Sequence, residues 1–237
     1  MTSKVFWAAA LALGIAAGAS AQEDAVVKAI RAKWDPAAQA IKDMTMTATM
    51  DGQTPDGPMK VDMTIKRKGL KVRTEMNMNG FDMVSIFDGK DHWMVTPMGV
   101  QKAPANQRGP GQAMQDTLPA DARVTGSEKA GGRDCHVVEY KEAGSGKPVK
   151  VWVDKKSLTP VKSEMIDGKK TNLITFSDHR KVTGDYEVPY KTEMQENGKL
   201  MGTVVIKTVA VNSGLADDEF VPKAPAGGMQ MPMMPKR

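Results

Sequence analysis

Reactive side chains are scarce in this chain of 237 residues, which has one cysteine, Cys135, and three histidines, His92, His136 and His179. A single cysteine excludes an internal disulfide framework, so stability must come from a packed core. The histidines are far apart, and none has a second histidine three or four residues on, which excludes the spacing of a helical zinc or metalloprotease site. Cys135 and His136 adjoin within an alternating segment, where neighbouring side chains point to opposite faces and cannot form a nucleophile–base pair. Cys135 reads as a half-buried structural thiol. Gly144-Ser145-Gly146-Lys147 lacks the upstream glycine of a phosphate loop, since position 141 is lysine, and Pro148 follows it. The same serine is flanked directly by glycines, which breaks the G-x-S-x-G pattern. No enzyme, cofactor or metal-binding set of histidines and cysteines is expected. Aromatic residues make up only 5%, and lysines alternate with acidic residues under a formal charge of +5, so no basic stripe marks a nucleic-acid surface.

Long apolar runs are also missing beyond the first residues. Lys4 precedes the uncharged stretch Val5 to Gly18, and Ala19-Ser20-Ala21 forms an A-x-A cleavage site. This is the pattern of a secretory signal over residues 1–21, with Gln22 opening the mature chain. The expected product is a soluble, exported, periplasmic protein with no membrane-spanning segment.

What the chain does have is methionine, 19 in all. Met44, Met46, Ala48 and Met50 alternate with other residues. Met59, Val61, Met63 and Ile65 then alternate with Lys60, Asp62, Thr64 and Lys66, and Leu70, Val72, Met76 and Met78 follow against Lys71, Arg73, Glu75 and Asn77. Period-two alternation places each apolar set on one face of a sheet. Thioethers are unbranched and polarizable, so such a face can repack around different greasy shapes. A well-filled core is the other reading of the same residues. In strand 81–87 the inward set is open, because Phe81, Met83 and Phe87 compete with Val84 and Ile86.

Asp24 to Trp34 reads as a helix, with Val26, Val27, Ile30 and Trp34 on one side and Asp24 as its cap. Turn pairs at Asp51-Gly52, Lys68-Gly69, Asn79-Gly80, Asp88-Gly89, Asp167-Gly168 and Asn197-Gly198 separate alternating runs, which indicates sequential antiparallel hairpins. Pro97 to Ala122 interrupts them with four prolines and room for one short helix near Gln112 to Thr117. Strands are expected again at about 123–130, 133–142, 149–154, 158–167, 171–180, 188–196 and 200–211. One domain is expected over residues 22–222, followed by a Met- and Pro-rich tail over 223–237.

Several motifs now fall into a recognisable order. Ile65-Lys66-Arg67 precedes Ile86-Phe87-Asp88-Gly89-Lys90-Asp91-His92-Trp93-Met94-Val95-Thr96-Pro97. Val151-Trp152-Val153-Asp154 with Leu158-Thr159-Pro160, then Ile174 to Asp178, and Val211 to Phe220 follow. Over nearly all of the mature chain this resembles the LolA-like outer-membrane lipoprotein carriers. The resemblance implies a mainly β fold with a minor helical part: a strongly curved, unclosed antiparallel half-barrel around a hydrophobic cavity. The N-terminal helix and the Pro97–Ala122 loop would be its lid. It also implies that Arg67, at the end of the I/V-K-R strand, latches that lid, although Lys68 stands where the family usually has proline.

The expected function is non-catalytic binding of an acyl, lipid or lipoprotein ligand in the envelope. Met44, Met46, Met63, Val72, Met76 and Trp93 are the candidate lining residues, with hairpin anchoring as the other reading of Trp93 and Trp152. Two alternatives stay open. One is a lipid- or stress-sensing module that engages another envelope protein. The other is Cu(I) binding by the methionines at 229–234, since soft thioethers select soft Cu(I).

Overall fold

The computed structural model describes residues 25–35, 40–54, 57–78, 80–103, 118–142 and 145–223. One helix, α1, covers residues 25–34. Thirteen strands follow: β1 (Asp43–Thr54), β2 (Gly57–Lys68), β3 (Lys71–Met78), β4 (Phe81–Phe87), β5 (His92–Thr96), β6 (Gly99–Lys102), β7 (Arg123–Ala130), β8 (Arg133–Lys141), β9 (Pro148–Asp154), β10 (Pro160–Asp167), β11 (Lys170–Thr183), β12 (Tyr186–Glu196) and β13 (Lys199–Val211). The alternating runs and turn signals place most of these strands to within a few residues, with two corrections: Asp51-Gly52, expected as a turn, lies inside β1 and pairs with β13, and β6 forms within the expected Pro97–Ala122 loop, where it pairs with β5. The signal segment, the Asp24 cap, the helix near Gln112 to Thr117 and the tail beyond Lys223 lie outside the described residues.

All thirteen strands form one antiparallel sheet in the order β6-β5-β4-β3-β2-β1-β13-β12-β11-β10-β9-β8-β7. Two meanders, β1 to β6 and β7 to β13, are therefore joined in the middle by pairing of the first strand with the last. That ladder runs from Met44 opposite Val211 to Gly52 opposite Gly202, with a bulge at Thr47/Ala48. Among the described residues the outer strands β6 and β7 each have one paired side.

The half-barrel expectation needs correction in its shape: the sheet is not strongly curled. A half-barrel hides one apolar face and leaves the other to water. Here both faces carry packed apolar clusters. On the helix-bearing face, Val27 and Ile30 of α1, 2% and 0% exposed, pack against Val138, Val149, Val151 and Val153. Farther along the same face, Met44, Met46, Ile65, Val72, Val188 and Ile206 form a second cluster. The reverse face holds Cys135, Val137, Trp152 and Val161 at one end, and Ile86, Val95 and Phe220 at the other. Strand 81–87 is settled by this arrangement. Phe87 joins the helix-bearing face with Met83 opposite Met76, while Val84 and Ile86 face the reverse side.

Chain ends are fastened locally. Arg31 Nε of α1 donates to the Leu118 carbonyl at 3.0 Å, and Trp34 Nε1 donates to the Leu158 carbonyl at 2.7 Å. After β13, the Asp43 carboxylate accepts from Ser213 N and Oγ and from Gly214 N at 2.8–3.0 Å. Burial alone would raise the Asp43 pKa, but these donors hold it below the usual carboxylate value. The turn delivers a 3-10 helix, Asp217–Phe220, to the reverse face. There Lys66 pairs with Glu219 at 2.9 Å, Arg73 donates to the Glu219 carbonyl at 3.1 Å, and Phe220 is 1% exposed.

Truncating that anchor, Phe220→Ala, is expected to cost about 3–5 kcal/mol in urea unfolding, because it leaves a cavity between Ile86 and Val95. A loss within experimental error would mean that the C-terminal segment does not anchor the fold.

Candidate functional site

Direct cross-strand partners share a face, so the register fixes which side each methionine occupies. Met44 and Met46 lie opposite Arg67 and Ile65, and Ala48 and Met50 lie opposite Met63 and Val61. Met63 and Met78 in turn oppose Met76 and Val61, and Met76 opposes Met83. Met94 opposes Ser85, the partner of Thr74 on the same side. Across the central ladder, Gly52 opposes both Met59 and Gly202, Gly202 opposes Met194, and Met194 opposes Ile174. Ile174 opposes Ser163, which opposes Val151 beneath α1, and Met165 follows on that side. Of the thirteen described methionines, eleven thus lie on the helix-bearing face. The other two are Met98 in the β5–β6 turn and Met201 at the β13 bulge.

The five lining candidates Met44, Met46, Met63, Val72 and Met76 all lie on this face. Met44, Met46, Val72 and Met76 are already buried, the first three within the second apolar cluster beside Ile41, Phe87, Tyr186 and Tyr190. Trp93 requires a correction: it opposes Ile86 and packs on the reverse face with Phe220. Its Nε1 donates to Asp88 at 2.9 Å, and Lys102 Nζ stands 5.7 Å from its ring. The cause is parity, because His92 and Met94 take the helix-bearing side of β5 and Trp93 falls between them. Trp152 is likewise a reverse-face anchor, donating to Glu128 at 2.7 Å with Lys162 Nζ 4.0 Å from its ring.

Arg67 sits at the end of β2 on the helix-bearing face, opposite Met44 and Val72. Its Nε donates to the Gly69 carbonyl at 3.2 Å. It also acts on Tyr186, whose pKa is raised by burial and pulled back by the Arg67 charge, while Asp35 at the end of α1 pushes it up. Arg67, Tyr186 and the last residues of α1 therefore lie within electrostatic reach of one another.

Sequence reading missed a pair of buried glycines on this face. Gly52 and Gly202 are direct partners, so a side-chain-free patch lies between Met59 and Met194. A Cβ built at Gly52 would meet the Met59 methyl at 3.7 Å, and one at Gly202 would meet the Met194 methyl at 3.4 Å and Asp51 O at 3.2 Å. An open groove of about 430 Å³ lies at this end of the sheet, lined by Gly52, Met59 and Gly202 together with Asp51, Pro58, Lys60 and Thr203, whose register parity is that of the reverse face. That volume is within the range of roughly 300–1,000 Å³ usual for small-molecule sites. The signal was present as two glycines inside alternating runs, where a strand glycine marks a bulge or a close approach.

On the helix-bearing face Ser85 Oγ and His92 Nε2 share a buried hydrogen bond of 2.7 Å. Cys135 is fully buried, and burial pushes its thiol pKa up. Burial lowers the pKa of His136, reinforced by Lys155, and lowers that of His179, reinforced by Arg133. Among the described residues no group of three or more histidine, cysteine or acidic side chains could hold a metal ion. No helix among them is long and apolar enough to cross a membrane.

Comparison with known proteins places the fold. A family model described only as an uncharacterized protein matches residues 114–224. No curated protein matches the sequence. An outer membrane lipoprotein-sorting protein domain from Vibrio parahaemolyticus is similar in structure, with a TM-score of 0.65 at 17% identity, covering 85% of this chain and 97% of that one. A DUF1329 family protein from Desulfovibrio piger has the same TM-score of 0.65 at 15% identity, covering 84% and 96%. The chain has the LolA-like fold of the lipoprotein-sorting proteins.

Two depressed histidines set a pH dependence. Both are held neutral in the fold, so the unfolded chain binds more protons once pH falls below the ordinary value of about 6.5. Their contribution is complete above that value and is lost as pH drops toward the depressed folded values. Denaturant titrations should show stability declining from about pH 6.5 downward, with a shallower decline in His179→Gln.

Proposed function

We propose that the protein binds an acyl-bearing ligand, a lipid or the lipid-modified end of a lipoprotein, in the bacterial envelope and without catalysis. The observation that carries this reading is the segregation of eleven strand methionines onto one face. Core packing accounts for Met44, Met46 and Met76, which are 2–7% exposed. It does not account for Met50, Met59, Met78, Met83 and Met194, which remain half-exposed along the same side.

In this reading the ligand lies along the methionine-lined floor as on an open platform. Its chain runs from the Gly52–Gly202 notch toward the cluster beside Tyr186. Each buried methylene is worth about 0.8 kcal/mol, so a dozen offer roughly 10 kcal/mol gross, partly offset by ordering the ligand. A thioether wall adapts to the chain without demanding close shape complementarity, which allows release as well as capture. The helix α1 is the lid candidate, since it covers the adjoining valine cluster through only Val27, Ile30 and flanking groups. Arg67 would stabilise its closed position through the Tyr186–Asp35 neighbourhood. The fold that the chain shares with a lipoprotein-sorting domain supports this class of ligand.

Gently purified protein should release acylated molecules on organic extraction and should take up a fluorescent fatty acid when stripped. Gly52→Leu puts a side chain where a Cβ finds ordinary contacts of 3.5 and 3.7 Å. Because Gly52 is buried, the substitution should cost about 1–3 kcal/mol of stability and weaken fatty-acid binding of the folded protein about tenfold. Uptake equal to that of the parent protein, or extracts repeatedly free of lipid, would refute the reading.

A further inference from the structure

Three methionines stand side by side on neighbouring strands of the helix-bearing face. Met63 of β2 opposes Met76 of β3, and Met76 opposes Met83 of β4. Directly opposed residues have Cβ atoms about 4.5–5.5 Å apart, and three flexible bonds let the outer two thioethers lean toward the central one. Met94 is close by on the same side, since its partner Ser85 lies two residues from Met83. Met76 is 7% exposed, whereas Met63 and Met83 are half-buried, so the row is anchored at its centre and accessible at its flanks. The same-face positions around it are Ala48, Val61, Ile65, Thr74, Ser85 and Met78. None of these carries a carboxylate, Asp62, Glu75 and Asp82 project to the reverse face, and the His92 imidazole on the same side is engaged by Ser85 Oγ at 2.7 Å.

We propose that Met63, Met76 and Met83 form a thioether site for a soft monovalent cation, Cu(I) or its analogue Ag(I). Neutral sulfur donors favour soft ions, and the lack of carboxylates among these same-face neighbours disfavours hard ions such as Mg(II). A single charge also limits the cost of removing the ion from water into an apolar surround. The site is separate from the methionines at 229–234, and it does not depend on lipid binding.

Anaerobic titration of the full chain with Cu(I) against a chromophoric chelator should reveal a site abolished or weakened about tenfold by Met76→Leu. That swap conserves volume and is tolerated in cores. Met44→Leu, on the same face but outside the row, should leave the affinity unchanged. Removing residues 224–237 should leave this site in place. X-ray absorption of the copper-loaded protein should show sulfur neighbours alone. Loss of all binding on tail removal, equal affinity in Met76→Leu, or nitrogen or oxygen neighbours would each overturn the proposal. Fatty-acid uptake measured on copper-free protein separates failure here from failure of the acyl-binding reading.

Discussion

The pairing of β1 with β13 is the constraint on which the rest of the molecule depends. These are the first and last strands, yet they lie at the centre of the sheet, with Met44 opposite Val211. Each meander can form from local hairpins, whereas this ladder brings together residues more than a hundred positions apart. Closing so long a loop carries an entropic cost that grows only logarithmically with length, and the ladder offsets it with nine paired positions. It also transmits side-chain parity. A slip of one residue there would turn the methionines of one meander away from the helix while leaving those of the other in place. The turn after β13 supports the ladder: the Asp43 carboxylate accepts from Ser213 N and Gly214 N, and Asn212 Oδ1 accepts from Lys42 N across its end.

Much of the fold was legible because the alternation is regular and the turns carry glycine. The strands from β7 to β13 fall where period-two patterning and Asp-Gly or Asn-Gly pairs put them, and α1 falls where one apolar stripe ends at Trp34. Less legible was the reverse face. Val84, Ile86 and Val95 alternate as well as Met83 and Phe87 do, so strand 81–87 could not be oriented until Phe220 was seen covering one side. That contact joins residues far apart in sequence and leaves no local periodic trace. The shape of the sheet was illegible for the same reason, since what covers each face is decided by distant segments.

The candidate site was half legible. Alternation grouped Met44, Met46, Met63, Val72 and Met76 correctly on one face, yet it could not tell that most of them would be buried by Tyr186, Tyr190 and Phe87. Trp93 was grouped by its motif, and its parity puts it on the other side. The Gly52–Gly202 notch was hidden because it requires a register between strands at opposite ends of the chain. The methionine face therefore has two characters: a packed region toward α1 and the β11–β12 turn, and an accessible region toward the opposite strand ends. A ligand platform needs both, one to hold the sheet rigid and one to yield.

The outer strands of the sheet have a consequence for life in a crowded compartment. Backbone donors and acceptors along β6 and β7, which have no second strand partner among the described residues, are templates onto which a stray extended chain could zip. Here β6 offers only four residues, and β7 combines a bulge at Val124/Gly126 with Arg123, Glu128 and Lys129 along its exposed length. Short, bent and charged rims discourage such fibril-like growth. The sheet thus shields its backbone rims more carefully than its apolar side chains, which favours a dispersed molecule with a methionine-rich face.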